Sequence, residues 1–222
     1  MAANVEQLRG VTVPAGPMKL RGDLNIPEGA RGAVVFAHWK TDEARDRGVV
    51  KVLNDARLAT LRVHLLTSDE ELIDSTTEQL RFEIDLLAER LVDTTHWLAR
   101  YERTRKLRVG YFGASTGAAA ALVAAAELSE EVHAVVSRGG RPDLAGEALL
   151  QVEQPTLLIV GANPPRIVEV NRLALARLHG EKRLVVLPEV SQRFETPAAL
   201  EQVAHLAREW FELYVTLDRH LA

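Results

Sequence analysis

Cysteine is absent from the 222 residues, which removes disulfides, thiolate nucleophiles and cysteine-ligated metals together. Such a chain is expected in the cytoplasm. Long hydrophobic runs are missing too. The longest, residues 118–126, falls well short of the roughly 20 residues of a membrane-spanning helix, and no charged-then-apolar pattern opens the sequence. Membrane insertion and Sec export are therefore not expected. Nor does charge of one sign dominate: 27 Lys and Arg against 31 Asp and Glu leave −4, with no basic block, so nucleic acid is not an expected partner. What remains is an ordinary globular composition, 47% hydrophobic and 26% charged, long enough to bury a sizeable core. A single domain over residues 1–222 is expected, with a small molecule as partner and a homodimer left open.

The ordering of residues is more informative. Short runs of Val, Leu and Ile alternate with stretches of helical period, as in strands joined by crossover helices into a mainly parallel sheet. The runs fall at 11–13, 19–26, 32–37, 60–66, 107–112, 134–137, 156–160 and 184–187. Too few residues separate the first two for a crossover helix, so they should pair as an antiparallel hairpin at one edge. Leu80, Ile84, Leu87, Leu91 and Leu98 predict one long helix over 77–101. Thr196 as N-cap and Pro197 at the first helical position open a last helix with Val203, Ala207, Trp210 and Tyr214 on one face. Gly180 is expected to close the helix before it. No repeat or low-complexity linker interrupts this order.

One motif carries chemistry. Gly113-Ala114-Ser115-Thr116-Gly117 is a G-x-S-x-G set between a strand ending at Phe112 and an Ala-rich helical stretch. This is the sequence form of a nucleophile elbow, a turn so sharp that its flanking positions must be small. It would expose Ser115 Oγ at the sheet's carboxyl edge and aim the Thr116 N–H at a developing oxyanion.

With this motif stand Ala33-Val34-Val35-Phe36-Ala37-His38, Val109-Gly110-Tyr111-Phe112, Ser137-Arg138-Gly139-Gly140-Arg141-Pro142-Asp143 and Pro155-Thr156-Leu157-Leu158-Ile159-Val160-Gly161. On these segments the chain resembles an α/β-hydrolase, more narrowly the dienelactone-hydrolase-like group, over nearly its whole length. The resemblance implies a mainly parallel twisted sheet of about eight strands, an antiparallel N-terminal edge hairpin and helices on both faces. It also implies a Ser-His-Asp set, and here the sequence departs from the family. The acid, three residues past Gly161, is Pro164; the base, in the loop after the last strand, is Gln192, an amide of no useful basicity. The oxyanion loop reads His38-Trp39-Lys40-Thr41-Asp42-Glu43 where the family usually places Gly and further small residues.

Other groups of the sequence offer substitutes. His38 and His64 both end strands at the edge where such sheets bind ligands, so each is a candidate base, against the plainer role of a buried, hydrogen-bonded histidine. Asp143 is a candidate acid, or a turn residue after Pro142. Arg138 and Arg141 suit an anionic substrate group, or a surface loop. Lys40 would make a Ser–Lys pair, although Asp42 and Glu43 beside it suit a solvated helix start. His96, His133, His179, His205 and His220 read as surface or boundary residues. No metal or cofactor is expected, since no two His stand at i and i+4 and no His–carboxylate cluster shares a face. The expected site is therefore Ser115 with His38 and His64, surrounded by Thr116, Trp39, Ala114, Arg138, Arg141 and Gln192. Three functions fit it: a repurposed enzyme catalysing cyclisation, elimination or isomerisation of a small carbonyl metabolite, a slow esterase or lactonase, or a silent homologue that binds a ligand or protein.

Overall fold

The computed structural model describes residues 5–39 and 43–216. Eight strands form one sheet in the order β1-β2-β4-β3-β5-β6-β7-β8. β1 (Val5–Ala15) and β2 (Met18–Pro27) form the expected antiparallel edge hairpin, and β2 also runs antiparallel to β4 (Leu58–His64). From β4 onward every neighbour is parallel: β3 (Gly32–His38), β5 (Val109–Ala114), β6 (Val132–Arg138), β7 (Thr156–Asn163) and β8 (Lys182–Ser191). β3 is buried at every residue, as a central strand covered on both faces must be.

Two cores follow. On one face α1 (Glu43–Asp55) and α6 (Pro197–Tyr214) close over Phe36, Phe112, Val136 and Ile159. On the other, α3 (Ile84–Arg100) and α4 (Thr116–Glu127) cover Val35, Tyr111 and Val135, and α5 (Pro165–Arg177) adds Ala174. The longest apolar run of the sequence is α4, buried almost all round, which explains why it carries no polar face. Among the described residues no helix is long and apolar enough to cross a membrane.

Two local expectations are corrected. The helix expected over 77–101 starts later, at Ile84. α2 (Ser68–Thr77) stops where Glu78 enters the left-handed region at φ 54°, a short 3-10 turn follows at Leu80–Phe82, and α3 begins only at Ile84. Gly180 does not close α5, which ends at Arg177. Its role is contact: a Cβ there would lie 2.0 Å from the Glu153 carbonyl oxygen. The Thr196 cap is as expected, its hydroxyl accepting the Ala199 N–H.

Candidate active site

The parallel strands run in one direction, so the ends of β3, β5, β6 and β8 collect at one edge and deliver His38, Ala114, Arg138 and Ser191 there. Ser115 follows β5 with φ 53° and ψ −128°, a conformation a non-glycine residue keeps only when its surroundings impose it. Close packing imposes it here. A Cβ on Gly117 would stand 1.9 Å from the Ala37 carbonyl oxygen, and one on Gly113 would stand 2.6 Å from Ala118 Cα, so both flanks of the turn must be glycine for α4 to lie this near the sheet. The Ser115 carbonyl is held by the Arg141 N–H at 3.0 Å, while its side chain is exposed. Thr116 is the first residue of α4. Its N–H has no acceptor within the helix and sits at the positive end of the dipole, where an oxyanion is best stabilised.

Ser115 opens onto a cavity of about 920 Å³. Ala114, Thr116, Trp39, His38, Arg138, Arg141 and Gln192 line it, so all but one of the expected site residues come together. Arg45, Phe82, Ile167 and Arg193 join them. The charged side chains of this wall are Arg45, Arg138, Arg141 and Arg193, with no carboxylate among its described residues. Arg193 stands beside Gln192 and was legible as a neighbour of that loop. Arg45 reaches the cavity from α1, whose facing side the polar sequence around it does not reveal. Trp39 is fixed as part of the wall by the Arg81 guanidinium, which stacks 4.4 Å from its ring centre.

Two residues of the cavity wall, His38 and Arg138, belong to a buried ionic cluster. His38 is 3% exposed, and its Nδ1 lies 3.0 Å from Oδ2 of Asp46, a residue of α1 with no exposure at all. The Arg138 guanidinium stands 3.5 Å from the other carboxylate oxygen and 5.6 Å from the Phe112 ring centre. Burial by itself would raise the Asp46 pKa. The proximity of His38, with the charges of Arg138 and Arg62, outweighs it and holds the carboxyl below its ordinary value. His38 Nε2 is buried and makes no hydrogen bond to the described residues. A buried ring nitrogen left so costs about 1–3 kcal/mol, and such exceptions gather at functional sites. Nothing in the run Glu43-Ala44-Arg45-Asp46-Arg47 distinguishes Asp46 from the charged residues around it; its partners come from two distant strands.

The other candidates go elsewhere. His64, at the end of β4, pairs through Nδ1 with Glu71 of α2 at 2.8 Å and does not line the cavity. Asp143 is clasped by Arg141 through two hydrogen bonds of 2.8 and 2.7 Å. Pro164 is the N-cap of α5 and is not part of the wall. His205 is half-exposed beside Glu201. Lys40 and Asp42 lie outside the described residues.

No family model matches the sequence. The crystal structure of dienelactone hydrolase from Anabaena variabilis superposes with a TM-score of 0.91 at 53% identity, over 95% of this chain and 99% of that one. The chain belongs to the dienelactone hydrolase family. Est1E from Butyrivibrio proteoclasticus shares the family's fold at a TM-score of 0.75 and 13% identity, over 91% of this chain and 97% of that one. Two Mycobacterium tuberculosis proteins, provisionally named phosphoribosyl transferases, are 51% identical over 204 residues, which is 90% of this chain and 45% of each. The chain thus spans less than half the length of the curated relatives it matches.

Proposed function

We propose that the chain is an enzyme that binds a small anionic carbonyl compound, an ester or lactone carrying a carboxylate or phosphate, and engages its carbonyl with Ser115. One observation carries this: an exposed serine in an imposed elbow conformation opens onto a cavity whose charged wall is four arginines. Guanidiniums in a partly dry cleft recognise carboxylate and phosphate oxygens in a fixed plane, which would orient the carbonyl toward Ser115 and the Thr116 N–H. The name of the Anabaena relative supports a lactone as the neutral part of that substrate. The mycobacterial name, held by much longer chains, is compatible with an anionic ligand.

The catalytic set is not the one the family's matching positions would supply. By the resemblance, the base position is Gln192, which lines the cavity, and the acid position is Pro164. An amide orients a substrate but takes no proton near neutral pH. Hydrolysis by this site is accordingly slow unless another group serves as base, and a reaction that polarises the carbonyl without releasing an acyl group is the alternative use of the same pocket. Gln192 also favours a second reading, a silent homologue that binds the anion without turning it over.

The test compares kcat/KM for matched lactones with and without a carboxylate. The expected preference for the anionic member is about tenfold or more, corresponding to one charge-assisted contact of roughly 1.5 kcal/mol. Arg193→Ala should erase most of it, and Ser115→Ala should abolish turnover. Turnover that survives Ser115→Ala rejects the reading, and binding without turnover selects the silent homologue.

A further inference from the structure

The cavity has no imidazole from the loop after β8, yet it has one from β3. His38 lines the cavity with Ser115, is almost wholly buried, and holds Nδ1 3.0 Å from the carboxylate of Asp46. Asp46 stands on the Nδ1 side of the ring, so the uncharged form that keeps its proton on Nδ1, toward that carboxylate, leaves the lone pair on Nε2. That is the tautomer a general base requires. Nε2 makes no hydrogen bond to the described residues; the ring lies beside Asp46 from α1, whose carboxylate Arg138 from the end of β6 also approaches, and beside the Phe36 and Phe112 rings, whose centres are 6.0 and 6.4 Å from its own. Arg45, Arg141 and Arg193 are the other cations of the same cavity.

We infer that His38 is the general base for Ser115 and that Asp46 is its positioning carboxylate, a Ser-His-Asp set assembled from β5, β3 and α1 in place of the family's loop positions. This rests on Ser115 acting as nucleophile. In the first step the Ser115 Oγ–H proton passes to His38 Nε2 as the Oγ–C bond forms, and the carbonyl oxygen takes up the electron pair opposite the Thr116 N–H. The tetrahedral species then collapses: the C–O bond to the leaving oxygen breaks and that oxygen takes the proton from Nε2. Water repeats both steps on the acyl-enzyme, giving its proton to Nε2 and releasing the acid and free Ser115. The Oγ–Nε2 hydrogen bond is not made in this structure. Such contacts commonly tighten only with substrate in place.

Asp46 also gains its charge without exposure. The Arg138 guanidinium lies 3.5 Å from the carboxylate oxygen that His38 does not approach, and its charge favours the ionised acid in a site where burial favours the neutral one. Because Arg138 lines the cavity too, substrate binding and base orientation share one guanidinium.

The test is the rate at which a fluorophosphonate labels Ser115, followed by intact mass, with nitrogen-15 NMR of the His38 ring as a second readout. The wild-type protein should be labelled on Ser115 and its ring should show a protonated Nδ1 and an unprotonated Nε2. His38→Ala should slow labelling about a hundredfold or more and respond to added imidazole. Asp46→Asn should slow it by a similar factor, since the amide favours the wrong tautomer, and the His38 nitrogen signals should exchange identities. The double variant should be no slower than either single one. For any variant that does not fold, the wild-type tautomer decides, because an Nε2-protonated ring overturns the assignment by itself. Labelling of Ser115 at an unchanged rate in folded His38→Ala overturns the base and leaves the nucleophile standing. Failure of the wild-type protein to be labelled at all overturns the nucleophile, and the base with it.

Discussion

At the scale of single residues, Ser115 sits where reactivity and stability oppose each other. Its φ of 53° with ψ −128° stores strain of about 1–3 kcal/mol, which a glycine would relieve at an unfolded-state cost of about 0.5–1 kcal/mol. Ser115→Gly is therefore expected to be more stable by about 1 kcal/mol, or roughly 2–4 °C in Tm, while losing all turnover; calorimetry checks the sign. Gly117 has the reverse character. Its substitution by Ala drives a methyl into the Ala37 carbonyl, backbone against backbone, and should cost about 3 kcal/mol or more in urea unfolding. Both residues were legible in the sequence because the elbow is a local motif. Asp46 was not, since its meaning depends on His38 and Arg138, which only the parallel register of β3, β5 and β6 brings to α1.

At the scale of elements, the segment between β4 and α3 shows how an ionic clasp ends one helix and delays the next. The apolar spacing from Leu80 to Leu98 predicts a helix from Thr77 onward, yet α2 stops at Glu78 with no Gly or Pro to mark it, and α3 begins only at Ile84 after a 3-10 turn. The stop is built by side chains. Glu70 closes a capping box with Thr67 at the start of α2 and takes both arms of the buried Arg90 guanidinium from α3, while Asp74 and Glu78 hold Arg81. Arg90 keeps the Glu70 carboxyl low, at about 2, against the opposing effect of burial. A depressed carboxylate stabilises the fold fully above its unfolded value of 4.5, and that contribution fades as pH falls toward 2. Glu70→Gln keeps the capping box but should lower stability by roughly 2–3 kcal/mol at pH 7 through the lost charge on its two hydrogen bonds from Arg90. Its difference from wild type should shrink between pH 4.5 and 2, as urea titrations at several pH values would register.

At the scale of the whole molecule, a chain of net charge −4 presents an arginine-lined cavity at the carboxyl edge of its sheet. The strands, their alternation and the edge hairpin were readable from short apolar runs, because each strand is defined by its own residues. The cavity wall was readable only in part. Arg45, Phe82 and Ile167 arrive from three separate helical segments whose facing sides are set by packing. Attraction of an anionic substrate to this wall should weaken with salt over a screening length of about 10 Å at 0.1 M, so kcat/KM for an anionic lactone is expected to fall between 0.02 and 0.5 M salt, on the order of several-fold, while a neutral lactone is unaffected. The central claim, that Ser115 is the group which engages the carbonyl, is tested most directly by intact-mass and peptide mass spectrometry during turnover of an activated anionic ester. The account predicts one acyl group on the peptide containing Ser115, absent from Ser115→Ala. Turnover with no acyl group on Ser115, or an acyl group on another residue that persists in Ser115→Ala, would contradict it.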